Sequence, residues 1–181
     1  MPTVAGDFEL TMEELRIVAR FAADSARRVL PVFEETVAGD PRPRAAVDAA
    51  WEFVHGARRS KLQRVTSLEA HRAARQASTE AARLAARAAG DAASAAYLHP
   101  IARAEQVGHI LRATASAARV AELNAGDDPS VGDALLERAR QRATPVLVDV
   151  LGRYPPAPTG SNRTARLMST LDTALRAARV W

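Results

Sequence analysis

The chain has 181 residues, 48% of them hydrophobic and 25% charged, and it contains no cysteine. This length fits one domain with a sizeable core, and the lack of cysteine excludes disulfide and thiol chemistry. The net charge is only +4, so the basic composition alone does not indicate a nucleic-acid-binding protein.

The charges are unevenly distributed along the chain. Residues 1–40 carry eight acidic and four basic side chains, whereas residues 41–90 carry ten basic and four acidic ones. We expect the acidic first segment to neutralise part of the basic second segment within the fold.

Nothing in the sequence has the form of a membrane or export segment. The longest uncharged stretch, 92–102, has about eleven residues, against the roughly 20 that a membrane span needs. The first ten residues are acidic and lack the apolar core of a signal peptide. We therefore predict a cytoplasmic protein without a membrane partner. The ratio of 24 arginines to one lysine is typical of bacteria with high-GC codon usage.

Alanine, the strongest helix former, supplies 41 residues, and the predicted elements are all helices. The first begins at Thr11, the N-cap of a capping box in "TMEE". It is expected to kink at Pro31 and to end near Gly39. The second covers about 41–54.

The central helices are delimited by capping and turn residues. A third is predicted to begin near Thr66, where "TSLE" forms another capping box, and to break near residues 78–79. A fourth then runs to Leu98, tolerating Gly90 at some cost. A fifth has Pro100 at its first position.

The C-terminal part contains a sixth helix with Pro129 at its first position and a kink at Pro145. Residues 153–162 form a possible Pro-rich linker before a last helix, 164–180. No strand pattern is visible. We predict a single all-α domain, residues 1–181: a compact bundle or array of about seven helices without a sheet.

One predicted helix carries a polar stripe on an otherwise apolar surface. Glu105, His109, Arg112 and Ser116 lie at i, i+4, i+7 and i+11. Glu105 could fix the tautomer of His109 and raise its pKa. The stripe fits either a polar seam between helices or a general acid–base site.

The acid–base interpretation would make the protein a small enzyme of unknown chemistry. Its candidate catalytic residues are Glu105, His109, Arg112, Tyr97 and Asp91. The sequence has no HExxH, GxSxG, Walker or GxGxxG motif. We therefore predict no metal site and no cofactor, and we lean against an enzyme.

A basic segment follows in the third and fourth predicted helices. Arg72 and Arg75, and Arg83 and Arg87, have same-face spacing. No aromatic residues are interleaved for base stacking, so a solvated face is the simpler interpretation. We expect no nucleic-acid partner, and we keep a nucleic-acid-associated protein as a second alternative.

The stretch "GDPRPRAAVDAAW", residues 39–51, begins a helix with the wrong charge. Asp40 is a good N-cap and Pro41 fits the first helical position. Arg42 and Arg44, however, oppose the helix dipole, at a cost of about 0.3–1 kcal/mol each. An anion is therefore expected nearby, either Glu34 or Glu35 of the first helix or a partner.

Three segments resemble one family of small alanine-rich bacterial proteins. They are "VLPVFEETVAGDPRPRAAVDAAWEFVHG" at 29–56, "AHRAARQA" at 70–77 and "AARLAARAAGDAASAAYLH" at 81–99. The family is classed as immunity proteins of polymorphic toxin systems, the Imm-five-like group. The resemblance covers roughly residues 25–125, and "DPRPRAAVDAAW" is its most specific part.

The resemblance implies a non-enzymatic protein that neutralises a cognate toxin by protein–protein contact. A basic face would suit an acidic toxin surface and speed the encounter; its members would be Arg42, Arg44, Arg58, Arg59, Lys61 and Arg64. The candidate binding residues are Asp40, Arg42, Arg44, Trp51, His71 and His99.

Overall fold

The computed structural model describes residues 3–178. Its helices are α1 Met12–Thr36, α2 Arg42–Val54, α3 Lys61–Gln76, α4 Glu80–Ser94, α5 Val107–Asn124, α6 Pro129–Arg142, α7 Pro145–Leu151 and α8 Arg163–Ala177. Two short 3-10 turns, Ala95–Tyr97 and Ala104–Gln106, lie between α4 and α5. The predicted all-α class is correct in outline, with eight described helices instead of about seven.

The prediction of no sheet is wrong in one detail. Strands β1 (Thr3–Ala5) and β2 (Glu9–Thr11) pair in antiparallel orientation, with Val4 opposite Leu10. Leu10 is fully buried, which anchors the hairpin against the helices. Three residues are too few for the alternating pattern by which a strand is recognised in a sequence.

The core is built on close contacts of α4 with α1, α3 and α5. Most of the alanines of α4 and α5 are buried, on several sides of each helix. Small side chains let helix axes approach closely, and Phe33 and Phe53 fill the wider gaps. This packing explains how a chain with 4% aromatic residues forms a continuous core.

The first helix begins as predicted. Thr11 Oγ1 accepts from the backbone N–H of Glu14, and the Glu14 carboxylate accepts from the N–H of Thr11 at 2.8 Å. The helix continues through Pro31 to Thr36. Gly39 follows with a φ of +82°, a conformation that favours glycine.

The predicted start of the third helix is wrong. Helix α3 begins at Lys61, five residues before Thr66, and Ser60 and Gln63 form its capping box. Thr66 lies inside the helix and donates its hydroxyl hydrogen to the carbonyl of Leu62 at 2.7 Å. The predicted break is confirmed, since α3 ends at Gln76 and α4 begins at Glu80.

Two prolines act differently from the prediction. Pro100 does not begin a helix; its carbonyl accepts from the backbone N–H of Asp7 at 2.8 Å, and α5 starts at Val107. Pro145 does not kink α6 but begins the separate helix α7, with Thr144 as its N-cap. Proline is favoured at a first helical position because it has no N–H to leave unpaired.

The Pro-rich segment before α8 packs against the domain. Tyr154 is buried, and its hydroxyl donates to the carbonyl of His99 at 2.9 Å. Arg176 of α8 donates to the carbonyls of Tyr154 and Pro155. The predicted end of the last helix at Val180 lies outside the described residues. None of the described helices combines the length and apolar character of a membrane span.

Candidate functional site

A groove lies between α3, α4, α5 and α8, with a volume of about 640 Å³. Its charged and ionisable lining consists of His71, Arg75, Glu80, Arg83, Arg87, Arg112 and Arg163. Its floor is apolar and includes the buried side chains of Ala74, Leu84 and Met168. We call it the arginine groove.

A buried ion pair holds Arg112 in position. The Nε and Nη2 atoms of Arg112 donate to the two carboxylate oxygens of Asp91 at 2.9 and 2.8 Å. Asp91 lies on α4 with 1% of its side chain exposed, and a buried carboxylate requires such a partner. The hydrogen bond and the charge of Asp91 raise the pKa of Arg112.

A second buried carboxylate holds Arg163 at the start of α8. Glu122 of α5, 1% exposed, accepts from Arg163 Nη2 at 2.5 Å and from Arg119 Nη1 at 3.0 Å. Glu80 is also paired with Arg119, at 3.3 Å. The only acidic residue of the groove lining is therefore already paired.

Three arginines of the groove have no carboxylate partner within residues 3–178. Arg83 donates only to the carbonyls of Ala77 and Ser78, both at 3.4 Å. Arg75 and Arg87 are exposed and make no hydrogen bond or ion pair there. The groove therefore carries uncompensated positive charge.

Two histidines flank Asp91, and burial lowers the pKa of both. His71 Nε2 lies 3.6 Å from the Asp91 carboxylate, and His109 Nδ1 lies 3.0 Å from Ser94 Oγ. Desolvation outweighs the attraction of Asp91 and lowers each histidine pKa. Gly90 lets α4 approach α3 here, because a Cβ atom would lie 2.7 Å from His71 Nε2.

The predicted pair of Glu105 with His109 is not formed. Glu105 is exposed in a 3-10 turn before α5, and Ser94 takes the place of its carboxylate next to the imidazole. The expected rise in the pKa of His109 is likewise wrong, because burial dominates. Ser116, the end of the predicted stripe, is buried and its hydroxyl has no partner among the described residues.

The five residues of the enzyme alternative do not all border the arginine groove. Asp91, Arg112 and His109 are neighbours on α4 and α5, and only Arg112 of the five candidates borders the arginine groove. The hydroxyl of Tyr97 donates to the carbonyl of Ser60 at 2.7 Å. Within residues 3–178, no group of three histidine or acidic side chains is placed to hold a metal ion.

The anions opposite Arg42 and Arg44 are internal. Arg42 binds Asp40 through Nε and Nη2, the latter at 2.6 Å, and Arg44 binds Glu34 at 2.6 and 2.8 Å. These hydrogen bonds lower the pKa of Asp40 and Glu34. The prediction of Asp40 as N-cap and Pro41 as first helical residue is wrong by one position, because Pro41 is the N-cap and α2 begins at Arg42. The Asp40 carboxylate still accepts from the backbone N–H of Arg42.

The remaining predicted binding residues lie apart. The ring of Trp51 on α2 contacts Arg20 and Arg27 and stacks on His55, while its buried Nε1 has no hydrogen-bond partner in the described chain. His99 is exposed in the loop before α5 and receives the Tyr154 hydroxyl at its carbonyl. Among the six predicted binding residues, His71 alone borders the arginine groove.

Helix α3 exposes an apolar strip that sequence reasoning missed. Leu62, Val65 and Leu68 are 40%, 53% and 56% exposed and lie at i, i+3 and i+6, on one side of the helix. Gln63 and Thr66 point inward instead. Lys61, Arg64 and Arg72 are exposed on the same helix. We call the apolar strip and these three cations the α3 face.

The spacing of the aliphatic residues in the sequence predicts this face only when α3 is taken to begin at Lys61. Because α3 begins at Lys61, the small residues Ala70, Ala73 and Ala74 form the buried side, and the larger aliphatic residues fall outside it. Arg163, which closes the groove, comes from a helix far along the chain and had no local signal.

The matched family covers most of these elements. The family described as "Imm-5 like putative immunity protein" matches residues 9–144. The chain belongs to this family. No curated protein and no solved structure matches the chain. In this Imm-5 like protein, the whole α3 face and three walls of the arginine groove lie inside the matched region, whereas the α8 wall lies outside it.

Proposed function

We propose that this Imm-5 like protein neutralises a toxin by direct protein–protein contact, and that the α3 face is the centre of the contact. The observation that carries the proposal is the exposed apolar strip of Leu62, Val65 and Leu68. The family assignment supports a toxin as the partner.

The α3 face has the composition of a protein interface. Three large aliphatic side chains would gain favourable free energy on leaving water, at roughly 25 cal/mol per Å². Interfaces place such apolar residues at the centre and polar ones at the rim. Grouped exposed apolar residues with polar surroundings are typical of interaction sites.

The rim of the α3 face selects for an acidic partner. Lys61 and Arg64 lie beside the apolar strip, and neither has a carboxylate partner within residues 3–178. Glu69 is paired with Arg72. A toxin surface with an apolar centre and acidic rim would match, and the charges would increase the association rate more than the affinity.

Two of the predicted basic residues also contact an aromatic ring of the fold. The guanidinium groups of Arg59 and Arg64 lie 4.7 and 4.5 Å from the centre of the Tyr97 ring. This cation–π contact fixes the start of α3. Arg64 therefore serves both the fold and the proposed rim.

A growth-protection assay tests the proposal. The probes are candidate toxin domains from the genes that flank this one in its native genome, each expressed from an inducible promoter in cells that also express this protein. We expect wild type to restore growth and Val65→Glu to abolish protection, because a charge enters the apolar centre. The control is Val146→Glu, which changes a valine 40% exposed on α7.

Two results would contradict the proposal. Failure of wild type to protect, although both proteins accumulate, would reject toxin neutralisation. Equal protection by Val65→Glu and Val146→Glu would reject the α3 face. Circular dichroism of both variants shows whether each keeps the helical fold.

A further inference from the structure

We infer that the arginine groove binds an acidic segment of the toxin, with carboxylate side chains held by Arg75, Arg83 and Arg87. This inference rests on the proposed function and adds a second contact site to it. It identifies the chemistry of the segment: carboxylates on either side of an apolar side chain.

The positive charge of Arg75, Arg83 and Arg87 is unbalanced within residues 3–178. Arg83 and Arg87 lie at i and i+4 on α4, a spacing at which like charges destabilise a helix, and Arg75 faces the same groove from α3. None of the three has a carboxylate partner within residues 3–178, whereas Arg112 and Arg163 beside them each do. An anionic ligand would remove this repulsion.

Two arginines held by buried carboxylates form a fixed framework around these cations. Arg112 and Arg163 are immobilised by Asp91 and Glu122, both buried. The N-terminus of α8, residues 162–165, also borders the groove. The positive end of the helix dipole lies at this N-terminus and favours an anion there. The Asn162 side chain already caps this helix by accepting from the N–H of Ala165.

The apolar floor of the groove favours a peptide over an inorganic anion. The floor formed by Leu84 and Met168 is apolar, and an inorganic anion gains nothing there. Arginine binds carboxylates in a bidentate manner, so acidic side chains can lie along the walls. An apolar side chain between them would cover the floor.

The arginine groove is continuous with the α3 face. Leu68 belongs to that face, and His71 and Arg75 follow it at i+3 and i+7 on the same helix, which places them side by side on α3. His71 and Arg75 line the groove. A toxin that covers the α3 face would therefore extend directly over the groove.

Calorimetry with a synthetic peptide tests the groove without the toxin. The probe is the capped peptide Glu-Glu-Leu-Glu-Glu, and its glutamine counterpart is the neutral control. We expect the acidic peptide to bind at least tenfold more tightly than the neutral one at low salt. Arg83→Glu/Arg87→Glu should reduce its affinity at least tenfold.

The matched control is Arg103→Glu/Arg138→Glu. Both of these arginines are exposed and lie outside the groove, and the double change alters the net charge equally. Equal loss of peptide affinity in the two double variants would overturn the inference. Binding of tripolyphosphate or of a 12-nucleotide DNA strand, without binding of the acidic peptide, would also overturn it.

The toxin assay separates this inference from the proposed function. If wild type and Val146→Glu protect cells, Val65→Glu does not, and Arg83→Glu/Arg87→Glu protects as well as Arg103→Glu/Arg138→Glu, the groove inference fails while the proposed function stands. If wild type itself gives no protection, the proposed function fails. Loss of protection in the groove variant, with protection by its control, supports both.

Discussion

Asp91 joins three helices through one carboxylate. It lies on α4, binds both Nε and Nη2 of Arg112 on α5, and approaches His71 on α3 to 3.6 Å. A buried carboxylate of this kind fixes how the helices meet, because any other arrangement would leave its charge unpaired. The same contact places Arg112 in the groove wall.

We predict that Asp91→Asn lowers the free energy of unfolding by about 2–3 kcal/mol. The asparagine oxygen can still accept one of the two hydrogen bonds from Arg112, and the lost one, to a charged group, contributes about 1.5–3 kcal/mol. The loss stays below the 3–5 kcal/mol typical of breaking fully buried pairs, because Arg112 keeps 34% of its side chain exposed. Urea denaturation measures it. Asp48→Asn on the surface of α2 is the control, with an expected change within about 0.5 kcal/mol.

The two histidines beside Asp91 make stability depend on pH. Unfolded histidine has a pKa near 6.5, and burial lowers the pKa of His71 and His109 in the fold. Below about pH 6.5 the unfolded chain therefore binds more protons than the folded chain, so the free energy of unfolding falls as the pH decreases.

We predict a measurable loss of stability between pH 7.5 and 5.5, a range above most carboxylate titration. In His71→Asn/His109→Asn this slope should be much smaller, whatever the absolute stability of the variant. Urea denaturation at three pH values provides the test. An unchanged slope in the double variant would show that these histidines titrate alike in both states.

At the level of single residues, the sequence located one ion pair between consecutive helices, but a pair assigned from helical spacing was wrong and a pair between distant segments was missed. Glu34 was a named candidate for the anion opposite Arg44, and it is the residue found there. Glu105 was assigned to His109 from i, i+4 spacing, but α5 begins only at Val107, so that spacing never applied. Asp91 and Arg112 are 21 positions apart, and no periodicity links them.

Among the elements, α3 shows how a helix start determines the functional surface. Its capping box at Ser60 and Gln63 fixes which residues face α2 and α4. Alanine and small polar side chains form the buried side, so the helices pack closely and the leucines remain outside. The end of α3 and the start of α4 were predicted correctly, but the start of α3 was not. The stretch "TSLE" inside the helix matches the same capping-box pattern as the true start at Ser60 and Gln63.

Substitution of Gly90 tests how closely α3 and α4 pack. An added Cβ would meet the His71 imidazole at 2.7–2.9 Å, and overpacking typically costs 1–3 kcal/mol. Alanine regains up to about 1 kcal/mol in helix propensity. We predict that Gly90→Ala lowers the free energy of unfolding by about 1–2 kcal/mol in thermal or urea denaturation.

The double variant His71→Ala/Gly90→Ala identifies the cause. Without the imidazole there is no collision, so Gly90→Ala should be neutral or stabilising in the His71→Ala background. If Gly90→Ala costs the same free energy in both backgrounds, then the contact with His71 does not explain the glycine.

At the scale of the whole molecule, charge is organised in two ways. Most acidic side chains at the contacts between elements are paired with arginine, as Glu14 is with Arg153 and Asp172 with Arg176. Arg75, Arg83 and Arg87 of the groove and Lys61 and Arg64 of the α3 face have no carboxylate partner within residues 3–178. Composition revealed the basic excess of residues 41–90, but only the fold shows that part of it borders one groove.

The affinity of the purified toxin for this protein and its two valine variants tests the central claim most directly. Calorimetry should give one-to-one binding, with Val65→Glu raising the Kd at least thirtyfold, about 2 kcal/mol, and Val146→Glu changing it less than threefold. Equal Kd values for the two variants, or no binding by wild type, would contradict the account.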